Sequence, residues 1–463
     1  MRKNILILFL SFTIPLMAQN TVLDEYVEEG LQSNLTLKQH EFSYRRSSAA
    51  LNEARGLFFP SVNIDARYSR AGGGRLIEIE VGDLTNPIYS ALNDFLIASG
   101  QDPAFPENIP NEYIPFLREE EHETKVRIIQ PVFQLPIYHN YKIKKQLNQV
   151  EDASRHAFAR QLVAEIKTSY FNYLKTVQID KLFQETSELL AENVRVNERL
   201  FENDKVTIAA VHRAKAELAD LEQSMAEAEK NMKLSRNYFN FLLNRPMEAV
   251  IDTSPQDSLM RIMNIEFTDA ASAALQNREE LVQLDLAVKI AGQQVGLVRS
   301  GSMPGLSVVF DYGFQGEMYR FSDQDDFWMA SAVLQWNIFS GFQNRNRVQQ
   351  AKLDRSAQRT RLEEAKRQIE LQTKSALYDL KVAKKSIVAA EQSVRSARLA
   401  FRLIERRYRE GMAAQIEYID ARTAMTNAET KAIVTKYDLF INQAALEKII
   451  AAYPVAAMLD GGK

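Results

Sequence analysis

Gly301-Ser302-Met303-Pro304-Gly305-Leu306-Ser307-Val308-Val309 is the second copy of a pattern that first occurs at Leu57-Phe58-Phe59-Pro60-Ser61-Val62-Asn63-Ile64-Asp65. The two prolines lie 304 − 60 = 244 residues apart. Few residues match, but the physical pattern is shared. Each copy begins as a helix, meets a proline and leaves as an alternating strand. Proline has no N–H and drives the preceding residue out of the α region, so Pro60 and Pro304 read as helix–strand junctions. A duplication of this size governs the architecture of the chain.

Working outward, Leu37 and Leu281 keep the same spacing, 281 − 37 = 244. Beyond the strands, Pro131-Val132-Phe133 pairs with Asn337-Ile338-Phe339, and Phe201-Glu202-Asn203-Asp204 with Tyr408-Arg409-Glu410-Gly411. Asn244-Arg245-Pro246 pairs with Ala452-Tyr453-Pro454, so the later offsets are 206, 207 and 208. The fall from 244 to 206 places about 38 extra residues between the two strands of the first copy. Each half reads helix, strand, loop, strand, long helix, short break, helix. The first repeat spans 19–246, with strands near 61–69 and 125–133, a long helix near 139–203 and a return helix near 207–243. A connection at 247–268 leads to the second repeat, 269–454. Its strands lie near 305–315 and 327–338, its long helix near 342–410 and its return helix near 414–451, before a tail at 455–463.

Residues 1–18 carry the order of a secretory signal: Arg2 and Lys3, an apolar run from Ile5 to Leu16, then Met17-Ala18-Gln19 as a cleavage site. The run is too short for a membrane-spanning helix, and no later stretch approaches the length such a helix needs. The chain has no cysteine, which excludes disulfides, zinc-thiolate sites, a cysteine nucleophile and N-terminal lipidation. A net charge of −3 gives no reason to expect nucleic acid as a partner. No Gly/Ser/Pro-rich linker divides the chain, which favours one continuous body over separate domains.

From His139 to Asn203 and from Phe342 to Glu410 there is neither proline nor glycine. Wholly helical segments of that length reach roughly 95–105 Å. Both are rich in strong helix formers, with apolar residues such as Ile166, Tyr170, Tyr173 and Val177 at helical spacing, a coiled-coil signature. The first helix breaks near Asp204-Lys205-Val206, with Thr207 as a candidate N-cap, and the second near Gly411-Met412.

After Pro304, Leu306, Val308, Phe310, Tyr312 and Phe314 alternate with polar and small residues. Val62, Ile64, Ala66 and Tyr68 do the same after Pro60. Trp328 to Ile338 alternates cleanly, while Val126 to Phe133 is noisier. A half-buried soluble sheet alternates in the same way, but runs of about ten residues, the span of a tilted membrane strand, and Trp328 and Trp336 eight apart on one face favour membrane strands. Tyr68, Tyr312, Phe314, Trp328 and Trp336 are aromatics suited to the two membrane interfaces. Four strands cannot close a membrane barrel, and open edges are not tolerated in lipid, so several copies must complete the sheet.

The paired Pro60 and Pro304 junctions, Gln130-Pro131-Val132-Phe133, Trp336-Asn337-Ile338-Phe339-Ser340-Gly341, Tyr408-Arg409-Glu410-Gly411 and Tyr418-Ile419-Asp420-Ala421 together resemble the TolC-like outer-membrane efflux family. The likeness covers about residues 25–455. It implies a mostly α fold with a small β-barrel portion: a homotrimer whose 12-stranded barrel sits in outer-membrane lipid and continues as a long periplasmic α-helical barrel. It implies a passive exit duct for tripartite efflux or type I secretion, working with a periplasmic adaptor and an inner-membrane transporter. The extra residues at 69–124 then become a long first extracellular loop, with Gly72-Gly73-Gly74, Pro103, Pro106, Pro110 and an acidic Glu119-Glu120-Glu121-His122-Glu123 stretch.

By the same resemblance, Glu417 and Asp420 ring the narrow periplasmic entrance together with Tyr408. Three apart, the two carboxylates share a helix face, and in a trimer six of them would crowd one constriction and attract a cation. Asn203, Asp204, Lys205, Val206, Glu410, Gly411 and Met412 form the adaptor-facing tips. Where relatives carry polar or charged latch residues, this chain has Ala209, Ala210 and Ala413. The five histidines are scattered, and there is no HExxH, Walker or GxSxG motif, so neither enzyme, cofactor nor metal site is expected. His122 among glutamates reads as part of a solvated acidic loop. The alternatives are a periplasmic coiled-coil adaptor, which has one hairpin rather than two, and a soluble scaffold, which has no lipid-facing strands.

Overall fold

The computed structural model describes residues 22–253 and 263–460. The signal peptide, part of the inter-repeat connection and the end of the tail lie outside them. The order is α1 (Val22–Ser33), α2 (Leu35–Gly56), β1 (Ser61–Arg70), β2 (Leu76–Ile79), α3 (Val81–Ala98), β3 (Glu112–Pro115), β4 (Glu120–Phe133), α4 (Leu135–Glu202) and α5 (Ile208–Leu242). The second copy follows as α6 (Phe267–Asn277), α7 (Glu279–Ser300), β5 (Gly305–Gly316), β6 (Asp326–Gln335), α8 (Gln343–Arg409), α9 (Gln415–Ile449) and α10 (Val455–Asp460).

The duplication is visible in the backbone. α2 and α7 each have 22 residues and start 279 − 35 = 244 apart, and α5 and α9 each have 35 and start 415 − 208 = 207 apart. Each proline junction is a tight turn: Phe59 N–H donates to Gly56 O at 3.0 Å, and Met303 N–H to Ser300 O at 3.0 Å. The strand begins at the residue after the proline in both copies. The helix ends repeat as well. Asp204 and Gly411 have φ of 55° and 72°, and Asn244 and Ala451 have φ of 53° and 54°. Both pairs are 207 apart, which moves the partner of Asn244 from Ala452 to Ala451.

The chain forms two compact units. One comprises Leu51–Ile143 and Gln293–Ala351 and holds a four-stranded antiparallel sheet in the order β1-β4-β5-β6, so β1 and β6 are its edges. The register puts Ile64, Val126, Tyr312 and Trp328 in one row across the sheet, with Tyr68, Phe310, Phe314 and Leu334 on the same face. That face is apolar and largely exposed; Ile64 is 74% and Trp328 70% exposed. The other face is ionic. Arg127 clasps Asp311 through two 2.8 Å hydrogen bonds, Lys125 pairs with Glu123 at 2.6 Å, and Arg67 lies 3.7 Å from Glu121.

Four expectations change here. β4 starts at Glu120, and a bulge between Pro131 and Phe133 reverses its alternation, which is why the sequence pattern was noisy there. β6 ends at Gln335, so Trp336 lies beyond the strand and donates its indole N–H to Ser302 O at 3.0 Å. The 69–124 stretch is no open loop, since it holds the ends of β1 and β4 with β2, α3 and β3 between them. His122 sits in β4, fully buried, its ring stacked 4.2 Å from that of Tyr319.

The other unit comprises Met1–Ala50, Lys144–Gly292 and Lys352–Lys463. Its largest core packs Val27, Leu162, Ile166, Tyr170, Phe239 and Leu243 from α1, α4 and the end of α5. A second cluster gathers Leu380, Leu439, Leu446 and Ile450, and Phe239 and Leu446 are copies of each other, 446 − 239 = 207, both fully buried. Burying a side chain of this size stabilises by roughly 1.5–3 kcal/mol. Arg160 ties the repeats together, with 2.6 Å to Glu279 and 2.6 Å to the carbonyl of Tyr453.

Candidate functional site

Both helical hairpins turn by the same device. Lys205 N–H donates to Leu200 O at 2.8 Å and Met412 N–H to Arg407 O at 2.7 Å, each across a left-handed residue. This is the Schellman closure, which satisfies carbonyls that a helix end leaves free. Glycine fills that position without strain at Gly411, whereas Asp204 does so against the usual cost of a side chain. Asn203 Nδ2 bonds Arg199 O at 2.6 Å, Glu410 lies 3.4 Å from Arg406, and Met412 is exposed. Lys205 and Val206 complete the first tip. Thr207 stands at the N-cap of α5 but makes no side-chain capping bond.

Above the second tip, Tyr408 stacks on Tyr418 with ring centroids 5.0 Å apart. Its hydroxyl donates to Asn197 Oδ1 at 3.0 Å, joining α8 to α4. Burial pushes the Tyr408 phenol above its ordinary pKa. Gln415 Nε2 donates to Ala210 O at 2.7 Å, joining α9 to α5. The tips that carry Ala209, Ala210 and Ala413 are therefore tied by Asn197 and Gln415, which the sequence reading did not single out. A signal existed: Leu190, Asn193, Val194 and Asn197 fall on one buried seam of α4, and asparagine in an apolar seam is a register-setting residue.

Glu417 and Asp420 are brought into different surroundings. Glu417 Oε1 accepts from the N–H of Ala414 at 3.4 Å. Since alanine has no side-chain acceptor, only that half of a capping box exists. Asp420 lies toward α5, where it acts electrostatically on Glu217. Burial raises the Glu217 pKa, Asp220 and Asp420 raise it further, and Arg422 lowers it. Glu217, Asp220 and Arg422 line a cleft of about 190 Å³ with Thr186, Leu221 and Thr426. Arg422 is 3% exposed and bonds Thr426 Oγ1, and its Nε has no partner. Burial depresses its pKa. The site is thus a charged seam between α5 and α9 beside a polar clasp between α4 and α8. It can position ions and hold helices together.

Residues 270–452 match the family model described as Outer membrane efflux protein. Over 338 residues the chain is 21% identical to outer membrane protein TolC of Escherichia coli K12, covering 69% of this chain and 67% of that protein. It is 19% identical over 291 residues to a probable efflux pump outer membrane protein, TtgC, of Pseudomonas putida, covering 62% of this chain and 60% of that one. Among solved structures, the outer-membrane channel OprN superposes with a TM-score of 0.75 at 18% identity, over 93% of this chain and 90% of that one. The CmeC outer membrane channel of Campylobacter jejuni gives 0.75 at 17% identity, over 93% and 85%.

Proposed function

Because the chain is a TolC-like outer-membrane efflux protein, we propose that its four strands are one third of a 12-stranded barrel closed by three copies. The protein is an outer-membrane exit duct of a tripartite efflux system, with its helical part extending into the periplasm. The family is one of channels, and no reaction is assigned to this chain. The carrying observation is the two-faced sheet. One face is apolar and aromatic, the other is ion-paired, and among the described residues no strand pairs with the outer edges of β1 and β6. In hydrocarbon, unpaired backbone groups cost several kcal/mol each, so β1 of one copy must meet β6 of the next. The apolar row then faces lipid and the Arg127–Asp311 face lines the water-filled lumen.

Cargo enters from an inner-membrane transporter through a periplasmic adaptor that docks on the tips at 203–206 and 410–412. Glu417 and Asp420, with Tyr408 behind them, form the entrance ring. The capping geometry of Glu417 and the nearness of Asp420 to Glu217 support this reading, which widens the ring to include α5. Chemical cross-linking of detergent-purified protein tests the central claim. A ladder ending at three is expected, and a monodisperse single copy in buffer without detergent would overturn it.

A further inference from the structure

The first copy's extra residues, between Arg70 and Glu120, build an arm that is turned inside out. β2 and β3 pair as a two-stranded antiparallel sheet, and α3 with a loop at 99–111 connects them. The polar side of α3 is its packed side. Asn86 exchanges two hydrogen bonds with the backbone of Ile109, at 2.9 and 2.7 Å, and Asn93 two with Phe105, at 3.0 and 3.0 Å. Gly82 sits on the same side, where a Cβ would come within 2.0 Å of Ile109 O. The opposite side is apolar and bare. Val81, Leu84, Ile88, Leu92 and Phe95 recur at helical spacing, and Leu84 is 69%, Ile88 58% and Phe95 70% exposed. A contiguous apolar stripe of this size on an 18-residue helix marks a binding surface.

Charge and position identify the occupant. Between Arg75 and Arg118, which flank its base, the arm has seven acidic residues and no Lys, Arg or His. Helices that lie on membranes carry Lys and Arg on their polar face to meet anionic headgroups, and this one would be repelled. Several acids are held away from the stripe: Glu78 accepts from Asn111 and Tyr113, Asp83 from Asn111, and Glu107 from Asn93. The stripe itself is uncharged, as a protein–protein contact requires. The arm also grows from the end of β1, the edge strand that needs a neighbouring copy. α3 would span roughly 27 Å along its axis. A barrel of 12 strands at about 4.8 Å spacing and about 40° tilt is roughly 24 Å across, so three arms reach one another over its mouth.

We propose that the Val81–Phe95 stripe packs against the same helix of the neighbouring copies, closing three arms into a helical collar above the outer mouth of the barrel. This rests on the three-copy reading above, and the test separates the two. The chain has no cysteine, so Ile88→Cys, Phe95→Cys or Ser90→Cys each introduces a single thiol into the full-length protein. Ser90 lies on the flank of α3, off the stripe. Oxidation in reconstituted vesicles is expected to give disulfide-linked dimers with Ile88→Cys or Phe95→Cys and none with Ser90→Cys, in a sample whose amine cross-linking ladder ends at three. A ladder ending at three with no dimer from either stripe variant overturns the collar and leaves the trimer standing. A ladder that ends elsewhere overturns the trimer and the collar with it. A spin label on Ile88→Cys that is reached by oxygen but not by a water-soluble relaxant places the stripe in lipid and also overturns the collar.

Discussion

The hydroxyl of Tyr408 donates to Oδ1 of Asn197 at 3.0 Å, across 211 residues of sequence, and so couples the long helix of the second repeat to that of the first. Asn197 is fully buried, and Gln415 also donates to its Oδ1, at 3.5 Å. Tyr408→Phe keeps the stacking on Tyr418 and removes only the bond, which costs about 1 kcal/mol. The expected result in planar bilayers is a longer open time at the periplasmic end with helicity unchanged. Because burial raises the Tyr408 pKa, the phenol keeps its proton, and the difference from the parent should persist through neutral and mildly alkaline pH. Identical gating in the two proteins would remove the clasp from the account.

Charge and capping at Glu417 can be separated. Glu417→Gln keeps an oxygen that can accept from Ala414 N–H and loses the charge, while Glu417→Ala loses both. Paired with Asp420→Asn, Glu417→Gln should weaken block by divalent cations, and Glu417→Gln alone should leave the unfolding midpoint unchanged. Glu417→Ala should in addition lower stability by a few tenths to about 1 kcal/mol. Unaltered block and conductance in the double variant would sink the entrance ring.

Glu217 gives a pH signature. Burial, then Asp220 and Asp420, raise its folded pKa. The folded state therefore binds its proton more tightly than the unfolded state, so this residue's contribution is fully present below the ordinary glutamate range and is lost as pH rises through the folded value. Glu217→Gln should raise the thermal midpoint near neutral pH and leave it unchanged in acid, read by circular dichroism of detergent-solubilised protein. An equal shift at both pH values would mean packing rather than titration.

The two tips differ by one side chain at one backbone state. Asp204→Gly relieves an exposed left-handed residue and should stabilise the first tip by roughly 0.5–1 kcal/mol. Gly411→Ala should destabilise the second by about 1 kcal/mol, and since nothing lies within 4 Å of the added Cβ, the loss is purely conformational. Hydrogen exchange at 203–206 and 410–412 reads both effects, and a null result at Gly411→Ala would remove the strain argument.

The features legible in the sequence were those set by local chemistry. Pro60 and Pro304 dictate junctions because a missing N–H acts within its own turn, and the two proline-free helices declare themselves by composition. The α3 arm stayed hidden because Gly72-Gly73-Gly74 and five prolines surround or interrupt it, with Pro87 inside the helix itself. At the tips, Glu417, Asp420 and Tyr408 were singled out by the resemblance of the residues on either side of Gly411, and their place in an entrance ring is a proposal. Asn197 left only the mark of an asparagine in an apolar seam, and Gln415 and Glu217 left none, because each acquires its role from a partner on another helix.

The Arg127–Asp311 pair carries the last prediction. Asp311 has no exposed side-chain surface in the sheet, and both its oxygens accept from the one guanidinium. Arg127→Leu strips that carboxylate of its cation, and a buried unpaired charge costs more than the pair contributed. Replacing both, as Arg127→Leu with Asp311→Leu, removes the uncompensated charge together with its partner. The double variant should therefore melt above the single one, measured as the temperature at which the folded band is lost on a gel without prior heating. Arg127 is partly exposed, so the single variant should also change ion selectivity if this face lines the lumen. A single variant as stable as the parent, with unchanged selectivity, would mean that the ionic face is neither buried nor water-filled, and the assignment of inside and outside to the two faces would have to be reversed.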